Sequence, residues 1–367
     1  MRAILAFAAI VFVCSLGGAS AQPGPPAPDA WEALRRGDAS KAAALFRAAL
    51  ERDPYNAVLY YGAGLAAVTL GRTNDALAAF RRALEQEPRF TEAALALGQL
   101  AYQSGDLDLA IKSFERAQNL APHDARIREQ LERWRSEALT HSQKTERHET
   151  HFRILFEGSE QRRIGERVAR VLESAYWRVG EALQAYPPAT LDVVLYTEQQ
   201  FQDITRAPAW AGGAFDGRIR IAVKGALRTP AALDRLVTHE FVHAAIATIA
   251  PRHVPTWVNE GLACLLETPD RRWRARALRS APTLIPLGQL EAGFSDLDGG
   301  SALLAYAESA LAAEVLSERV GANLGAFLQM LDSGHTIDQT LGNFGILPEE
   351  FYAEWYRRAS APAARAR

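Results

Sequence analysis

The chain has 367 residues, a formal net charge of −2 at pH 7 and a hydrophobic fraction of 48%. This length allows two domains and provides enough chain for a sizeable buried core. The near-neutral charge lacks the excess of basic residues expected of a nucleic-acid-binding protein.

The first 21 residues have the pattern of a secretory signal peptide. A basic Arg2 precedes an apolar run over residues 3–16, and Ala19-Ser20-Ala21 supplies the small residues of a cleavage site. We therefore expect cleavage after Ala21, a proline-rich linker over residues 22–28, and a periplasmic or secreted protein. No later apolar stretch reaches the roughly 18 residues needed to span a bilayer, so no integral membrane segment is expected.

An internal repeat with a period of 34 residues follows the linker. Positions one period apart carry the same residue in four sets: Gly37, Gly71 and Gly105; Ala42, Ala76 and Ala110; Phe46, Phe80 and Phe114; Pro54, Pro88 and Pro122. This order of glycine, small alanine, aromatic residue and closing proline resembles the tetratricopeptide repeat, which is one helix hairpin per repeat. In such a hairpin the glycine falls in the turn and the proline ends the second helix.

The resemblance implies an all-α solenoid of tetratricopeptide repeats with its capping or connecting helix over residues 29–149. The proline-rich stretch truncates its first repeat, and a helix from Asp124 to about Thr140 would cap the stack. Stacks of this kind form a concave surface that binds a peptide or a partner helix. We therefore expect a protein partner or a substrate to dock there; the alternative is that the repeats only anchor or orient the second domain.

A polar stretch from His141 to Thr150 joins the two parts, either as a continued helix or as a short linker. The histidines of this region, His141, His148 and His151, have no tight ligand spacing with one another. We therefore expect them to be solvated.

Two strands are predicted before the most informative motif. Residues 191–196 favour a buried strand, and residues 218–223 alternate apolar side chains with Arg218 and Arg220. Asp216-Gly217 is a hairpin-turn signal. Because an exposed strand edge can hold an extended peptide, residues 218–223 are our candidate for such an edge. An interior strand without substrate contact fits the same pattern.

A helix is predicted from the Thr229-Pro230 cap signal to a stop before Pro251. It carries His239, Glu240 and His243 in an HExxH arrangement. Side chains four positions apart lie on one face of a helix, so the two imidazoles can bind one metal ion. Glu240 can then take a proton from a water whose pKa zinc lowers from about 15.7 to about 7. This pattern indicates a zinc hydrolase.

A catalytic zinc usually has three protein ligands, and Glu260 is the candidate for the third. Pro255-Thr256 opens a second predicted helix, which puts Glu260 in its first turn. Gly261 removes a side chain where two helices approach each other and the ion. The competing ligand is His253, but the third histidine of the extended HExxHxxGxxH pattern would fall at Ile249.

The segment from His151 to about Arg358 resembles a bacterial gluzincin peptidase of the peptidase MA-like group. The resemblance is carried by residues 210–219, 239–243, 255–263 and 305–309 and by the C-terminal part from Gly334 to Trp355. It implies an α+β zincin-like metallopeptidase domain over residues 150–358, with a zinc core at about 150–300 and a helical part at about 301–358. It also implies that His239, His243 and Glu260 bind Zn²⁺ and that Glu240 is the general base.

Cys264 stands where thermolysin carries an aspartate, four residues after the ligand glutamate. The carboxylate that orients a ligand histidine must therefore come from elsewhere or be absent. Cys264 could approach the metal or be a small buried hydrophobe, and His253 could contact substrate or be solvated. Tyr306 is the candidate for stabilising the oxyanion of the reaction, although its apolar helical surroundings are also typical of a core residue. Residues 359–367 are expected to be a disordered tail.

These features predict a multidomain protein, with an all-α tetratricopeptide-repeat solenoid followed by an α+β zincin-like domain. The leading hypothesis is an exported zinc metallopeptidase that acts on a peptide or protein substrate, with Glu240 activating water and the repeats engaging a partner or substrate. Two alternatives remain open: an adaptor with a structural or vestigial zinc site, and a zinc amidase that acts on cell-wall peptides.

Overall fold

The computed structural model describes residues 26–188, 190–206, 212–223, 229–281, 283–294 and 297–360. The expected signal peptide and residues 361–367 of the expected tail therefore lie outside the described residues. The chain divides into two compact units, with the boundary between Gln143 and Lys144. Each unit has its own hydrophobic core.

The first unit is the predicted all-α solenoid. Its helices are α1 (Pro28–Arg35), α2 (Ala39–Arg52), α3 (Ala57–Thr69), α4 (Thr73–Gln86), α5 (Thr91–Gln103), α6 (Leu107–Leu120) and α7 (Ala125–Ser142). Gly37, Gly71 and Gly105 sit in the turns with φ of 80°, 70° and 90°, a backbone region that favours glycine. The 34-residue period thus marks the turn of each helix hairpin, and the short α1 agrees with a truncated first repeat.

The repeated phenylalanines are buried where the two helices of a hairpin cross. A Cβ atom at Gly64 would lie 2.4 Å from the ring of Phe80, and one at Gly98 would lie 2.5 Å from the ring of Phe114. Because the glycine leaves no side chain, the ring fits against the facing helix. The predicted cap, α7, closes the stack by burying Trp134 beside Phe114.

The second unit contains a five-stranded sheet. Its strands are β1 (Thr145–His148), β2 (Phe152–Phe156), β3 (Leu191–Tyr196), β4 (Gly213–Phe215) and β5 (Ile219–Ala222), in the order β1-β2-β3-β5-β4. β2, β3 and β5 are parallel, whereas the two outer strands are antiparallel to their neighbours. The predicted strands at 191–196 and 218–223 are confirmed as β3 and β5, and the hairpin joins β4 to β5.

Two expectations for the sheet are wrong. The strand at 218–223 is not an edge, because β5 lies between β3 and β4, and β4 is the outer strand. The polar stretch after α7 is neither a continued helix nor a plain linker, since Thr145–His148 pairs with β2 as β1. The arginine of β5 at position 220 is also fully buried, where it donates hydrogen bonds to Asp216 and the Tyr196 hydroxyl.

Nine described α-helices and two short 3-10 helices complete the second unit. The α-helices are α8 (Gly158–Leu183), α9 (Glu198–Thr205), α10 (Pro230–Ile249), α11 (Thr256–Glu267), α12 (Arg272–Ser280), α13 (Gly299–Val320), α14 (Leu324–Asp332), α15 (Ile337–Asn343) and α16 (Pro348–Ser360). α8 and α10 share one core with the inward face of the sheet. α16 continues to Ser360 and buries Ala359, so these two residues are helical rather than part of a disordered tail. Over the described residues, no helix combines the length and apolar character required to cross a membrane.

Candidate metal centre

The HExxH residues lie in the middle of α10, which runs from Pro230 to Ile249 as predicted. This helix packs against α8, α11 and strands β4 and β5. The imidazoles of His239 and His243 share one face, with ring centroids 4.8 Å apart. Their side chains are only 15% and 9% exposed, so they need polar partners inside the protein.

Glu260 of α11 faces both histidines. Its Oε2 lies 3.4 Å from His239 Nε2 and 3.5 Å from His243 Nε2. That oxygen is buried and has no hydrogen-bond partner. Burial alone would raise the pKa of Glu260, but the charges of the two imidazoles outweigh burial and lower this pKa. The structure therefore brings together two imidazole nitrogens and an anionic oxygen that could hold one metal ion.

Gly261 allows α11 to approach α13 closely. A Cβ atom at this position would lie 2.3 Å from the carbonyl oxygen of Ser309 and 3.0 Å from the Cβ of Ala313. The helix begins at Thr256, so Glu260 is its fifth residue and lies just beyond the first turn in which it was predicted. The contact with α13 fixes the position of the residue that follows Glu260.

The other nitrogen of each imidazole also has a partner. His239 Nδ1 lies 2.8 Å from Glu267 Oε2, and His243 Nδ1 lies 3.0 Å from Asn259 Oδ1. These contacts favour the tautomers that leave Nε2 free to bind a metal. The orienting carboxylate that the sequence left open is thus Glu267, at the end of α11. Its spacing of seven residues from Glu260, two helical turns, was the available signal.

Glu240 is buried between the candidate metal ligands and the outer strand β4. A Cβ atom at Gly213 would lie 2.5 Å from Glu240 Oε1, so glycine makes room for this carboxylate. Glu240 Oε2 is buried without a hydrogen-bond partner. Burial raises the pKa of Glu240 above the usual glutamate range. A carboxylate with a raised pKa and a free oxygen is suited to accept and return a proton.

A second group of possible ligands shares His239. Cys264 Sγ and a carboxylate oxygen of Glu267 lie within 4.8 Å of a nitrogen of that histidine and of each other. Burial raises the pKa of the Cys264 thiol, which favours the protonated form, whereas a thiol must lose its proton to bind zinc. The group containing Glu260 is the better candidate of the two, because Glu260 Oε2 has no hydrogen-bond partner, whereas Glu267 Oε2 already lies 2.8 Å from His239 Nδ1.

Tyr306 lies on α13, half-buried and in edge-to-face contact with Phe294. Burial raises the pKa of its phenol, and the negative charge of Glu260 raises it further. The phenol is therefore close enough to Glu260 for the charge of that carboxylate to affect it. Because the phenol stays protonated, its O–H can donate a hydrogen bond.

Two residues further along the same helix, Glu308 is fully buried and accepts a hydrogen bond from the backbone N–H of Ile285. Its second oxygen has no hydrogen-bond partner, and burial raises its pKa to about 7. The sequence offered no signal for this buried acid.

The remaining histidines are not part of this centre among the described residues. His253 is held near Asp332, whose backbone oxygen lies 2.9 Å from its Nδ1. His151 contacts Glu173 through its Nδ1 at 2.8 Å and stacks on Tyr176, and His141 is largely buried beside a glutamate. The expectation of solvated side chains is therefore met by the exposed His148 but is wrong for His141 and His151.

Comparison with known families agrees with this layout. Residues 29–73 and 61–125 match the tetratricopeptide repeat, and residues 174–356 match the Peptidase MA superfamily. The second unit contains a Peptidase MA superfamily domain. Tetratricopeptide repeats generally mediate protein interactions, and the Peptidase MA superfamily domain suggests metallopeptidase activity. No curated protein matches the chain at a significant level.

Proposed function

We propose that this protein is an exported zinc-dependent metallopeptidase of the gluzincin type. The observation that carries the proposal is the convergence of His239, His243 and Glu260. Side-chain oxygens contact the Nδ1 atoms of both imidazoles, and Glu240 lies beside them. The expected signal peptide supports export, and the superfamily match supports peptide-bond hydrolysis.

The proposed ligands fit zinc in their chemistry and spacing. Zinc bonds of about 2.1 Å at tetrahedral angles put neighbouring ligand atoms about 3.4 Å apart. The two nitrogen–oxygen separations here are 3.4 and 3.5 Å. The buried, unpartnered oxygen of Glu260 would gain its missing partner when the ion binds. Two imidazoles and one carboxylate leave a fourth position open, as catalytic zinc sites do.

A zinc ion held by His239, His243 and Glu260 would supply Lewis-acid polarisation of the peptide carbonyl and would lower the pKa of water to about 7. Glu240 then takes a proton from the attacking water and delivers it to the leaving amine. Tyr306 donates a hydrogen bond to the oxygen of the carbonyl as negative charge develops there. Glu267 and Asn259 hold the imidazoles in place during both proton transfers.

The outer strand β4 is the part of the sheet that can align a substrate. Gly213 of β4 lies beside Glu240, and one side of the strand is already paired with β5. An extended peptide could add to the other side by main-chain hydrogen bonds. This proposal replaces residues 218–223, which are interior. The repeats would bind a protein partner or deliver the substrate.

A first test incubates the zinc-loaded mature protein with a diverse peptide library and identifies new termini by mass spectrometry. The matched control is Glu240→Gln, which keeps every proposed ligand but removes the base. Cleavage that disappears in the variant supports the peptidase. If neither protein cuts peptides, the adaptor gains support; if only short cell-wall peptides are cut, the amidase does.

A further inference from the structure

An open groove of about 500 Å³ lies between α8, α10 and the end of α11. Four arginines line it: Arg167, Arg170, Arg178 and Arg235. Its two acidic side chains are Asp234 and Glu267. Four guanidinium groups against two carboxylates leave an excess of two positive charges. The whole chain has the opposite sign, with 41 basic and 43 acidic side chains.

Both carboxylates of the groove are already engaged. Asp234 accepts two hydrogen bonds from Arg167, at 2.6 and 2.7 Å. Glu267 contacts His239 Nδ1 at 2.8 Å. Within the groove, Asp234 is therefore paired with Arg167, and only the charge of Glu267 faces the other three arginines. Glu166 and Glu173 line a neighbouring cavity beside Arg170.

None of the three remaining arginines forms a salt bridge with a carboxylate among the described residues, although the charge of Arg235 acts on Asp270 over a longer distance. Arg178 donates a hydrogen bond to the backbone carbonyl of Leu266 at 2.6 Å, and burial lowers the pKa of its guanidinium. Arg170 and Arg235 are exposed and have no hydrogen bond or ion pair within the described part of the chain. Guanidinium groups in this state are suited to bind carboxylates from outside, often through two parallel hydrogen bonds.

The groove is long rather than point-like. Arg167 and Arg178 are eleven positions apart on α8, which corresponds to roughly 16 Å along the helix axis. An extended peptide covers that distance in about five residues. A single small anion would engage only one end, whereas a run of acidic side chains could meet the charges along the whole length. Hydroxyl groups of Ser174 and Thr268, which also line the groove, can bond a peptide backbone.

The groove is separate from the position proposed for the chemistry. His239 turns Nε2 toward Glu260 and Nδ1 toward Glu267, which lines the groove. Because the two nitrogens face different directions, the groove lies on the side of the imidazole away from the proposed ion. A ligand there would add binding energy without touching the reacting bond.

We propose that this arginine groove is an exosite that holds an acidic stretch of a peptide or protein substrate. That the bound stretch belongs to a substrate rests on the peptidase function proposed above, whereas the binding of an acidic stretch does not depend on that function. The whole-chain charge gives no support to nucleic acid as the occupant.

The test measures binding rather than turnover. A fluorescein-labelled peptide with five consecutive aspartates is titrated by anisotropy with zinc-loaded Glu240→Gln protein, which cannot consume the probe. The same peptide with asparagines is the uncharged control. We expect the aspartate peptide to bind at least tenfold more tightly at about 50 mM salt, and the difference to shrink at about 300 mM salt because screening weakens exposed charge pairs.

The key variant is Arg170→Gln/Arg235→Gln, which removes two exposed charges without breaking any hydrogen bond or ion pair among the described residues. Exposed pairs are each worth about a 1.4- to 5-fold change in affinity, so the double variant should bind the aspartate peptide about 2- to 30-fold less tightly. The matched control is Arg162→Gln/Arg276→Gln, which removes two exposed arginines that do not line the groove. It should bind as the parent does.

Equal loss in both double variants would show diffuse attraction and overturn the exosite. Tighter binding of an oligonucleotide of equal charge would replace the acidic peptide as occupant and also overturn it. The exosite and the metallopeptidase function can be refuted independently of each other. Groove-dependent binding without any cleavage by the protein that retains Glu240 would keep the exosite and remove the peptidase. Cleavage without groove-dependent binding would do the reverse.

Discussion

Replacing Gly261 by alanine tests whether the α11–α13 contact positions the proposed metal ligand. The new Cβ would meet the Ser309 carbonyl oxygen at 2.3 Å, about 1 Å closer than real Cβ atoms usually come to a neighbour. Both sides of the contact are helix backbone, so no flexible side chain can move away. Overpacking of this kind costs about 1–3 kcal/mol. The better helix propensity of alanine returns at most about 1 kcal/mol.

We therefore expect Gly261→Ala to lower stability by about 1–2 kcal/mol, which is roughly 2–8 °C in Tm for a unit of this size. Because Glu260 is the adjacent residue, a shift of α11 should also weaken zinc binding. The measurements are thermal unfolding with and without zinc and the zinc content after dialysis. Gly342→Ala is the control, since a Cβ atom there meets nothing within 4 Å and should be neutral or stabilising. If Gly261→Ala has the same Tm and zinc content as the parent, the proposed role of the contact is refuted.

Three further substitutions address the base, the orienting carboxylate and a buried acid. Gly213→Ala should abolish cleavage while the zinc content stays unchanged, because the new Cβ would displace the carboxylate of Glu240, the proposed base. Gly212→Ala is the control and should keep its activity, because the new Cβ would meet only the side chain of Leu236, at 3.1 Å. Glu267→Gln should weaken zinc affinity about 10- to 100-fold, measured by chelator competition. Glu308→Gln should be more stable than the parent at pH 8 but not below about pH 4, in denaturant titrations at each pH. The folded-state pKa of Glu308 is raised from 4.5 to about 7, so its protonated form stabilises the fold at low pH and this contribution is lost as pH rises through 7.

Each of these substitutions has an outcome that contradicts it. Zinc loss in the Gly213 variant would mean that the clash disturbs the ligands rather than the base. Unchanged zinc affinity in the Glu267 variant would mean that His239 is oriented by other contacts. Equal stability of the Glu308 variant and the parent at pH 8 would mean that the buried carboxylate pays no desolvation cost.

The elements that the sequence predicted well are those marked by a repeat period or by the spacing of residues within one helix. The repeated Gly37, Gly71 and Gly105 mark turns because their backbone conformation excludes most other residues. The histidines of α10 come together because an i, i+4 spacing fixes their common face. Glu260 was found by its helical context and by the family resemblance. In each case the deciding physics acts within one or two helical turns.

Features that depend on pairing between distant segments were missed. β1 has a polar, charged sequence typical of a linker, and it is a strand only because its backbone pairs with β2. The outer position of β4 follows from the order of strands in the sheet. The alternation of apolar and charged side chains in residues 218–223 predicts a strand but not its neighbours. Arg220 is buried because Asp216 and Tyr196 complete its hydrogen bonds on the covered face of the sheet. Glu267 was not anticipated, although its spacing of two helical turns from Glu260 puts both carboxylates on one face of α11.

Anomalous diffraction at the zinc edge, on crystals of the zinc-loaded protein, tests the central claim most directly. We predict one peak at about 2.0–2.2 Å from Nε2 of His239, Nε2 of His243 and a carboxylate oxygen of Glu260. A peak bound instead by Cys264 and Glu267 would identify the competing ligand group and a structural site. The absence of any peak near α10 would contradict the proposed metallopeptidase.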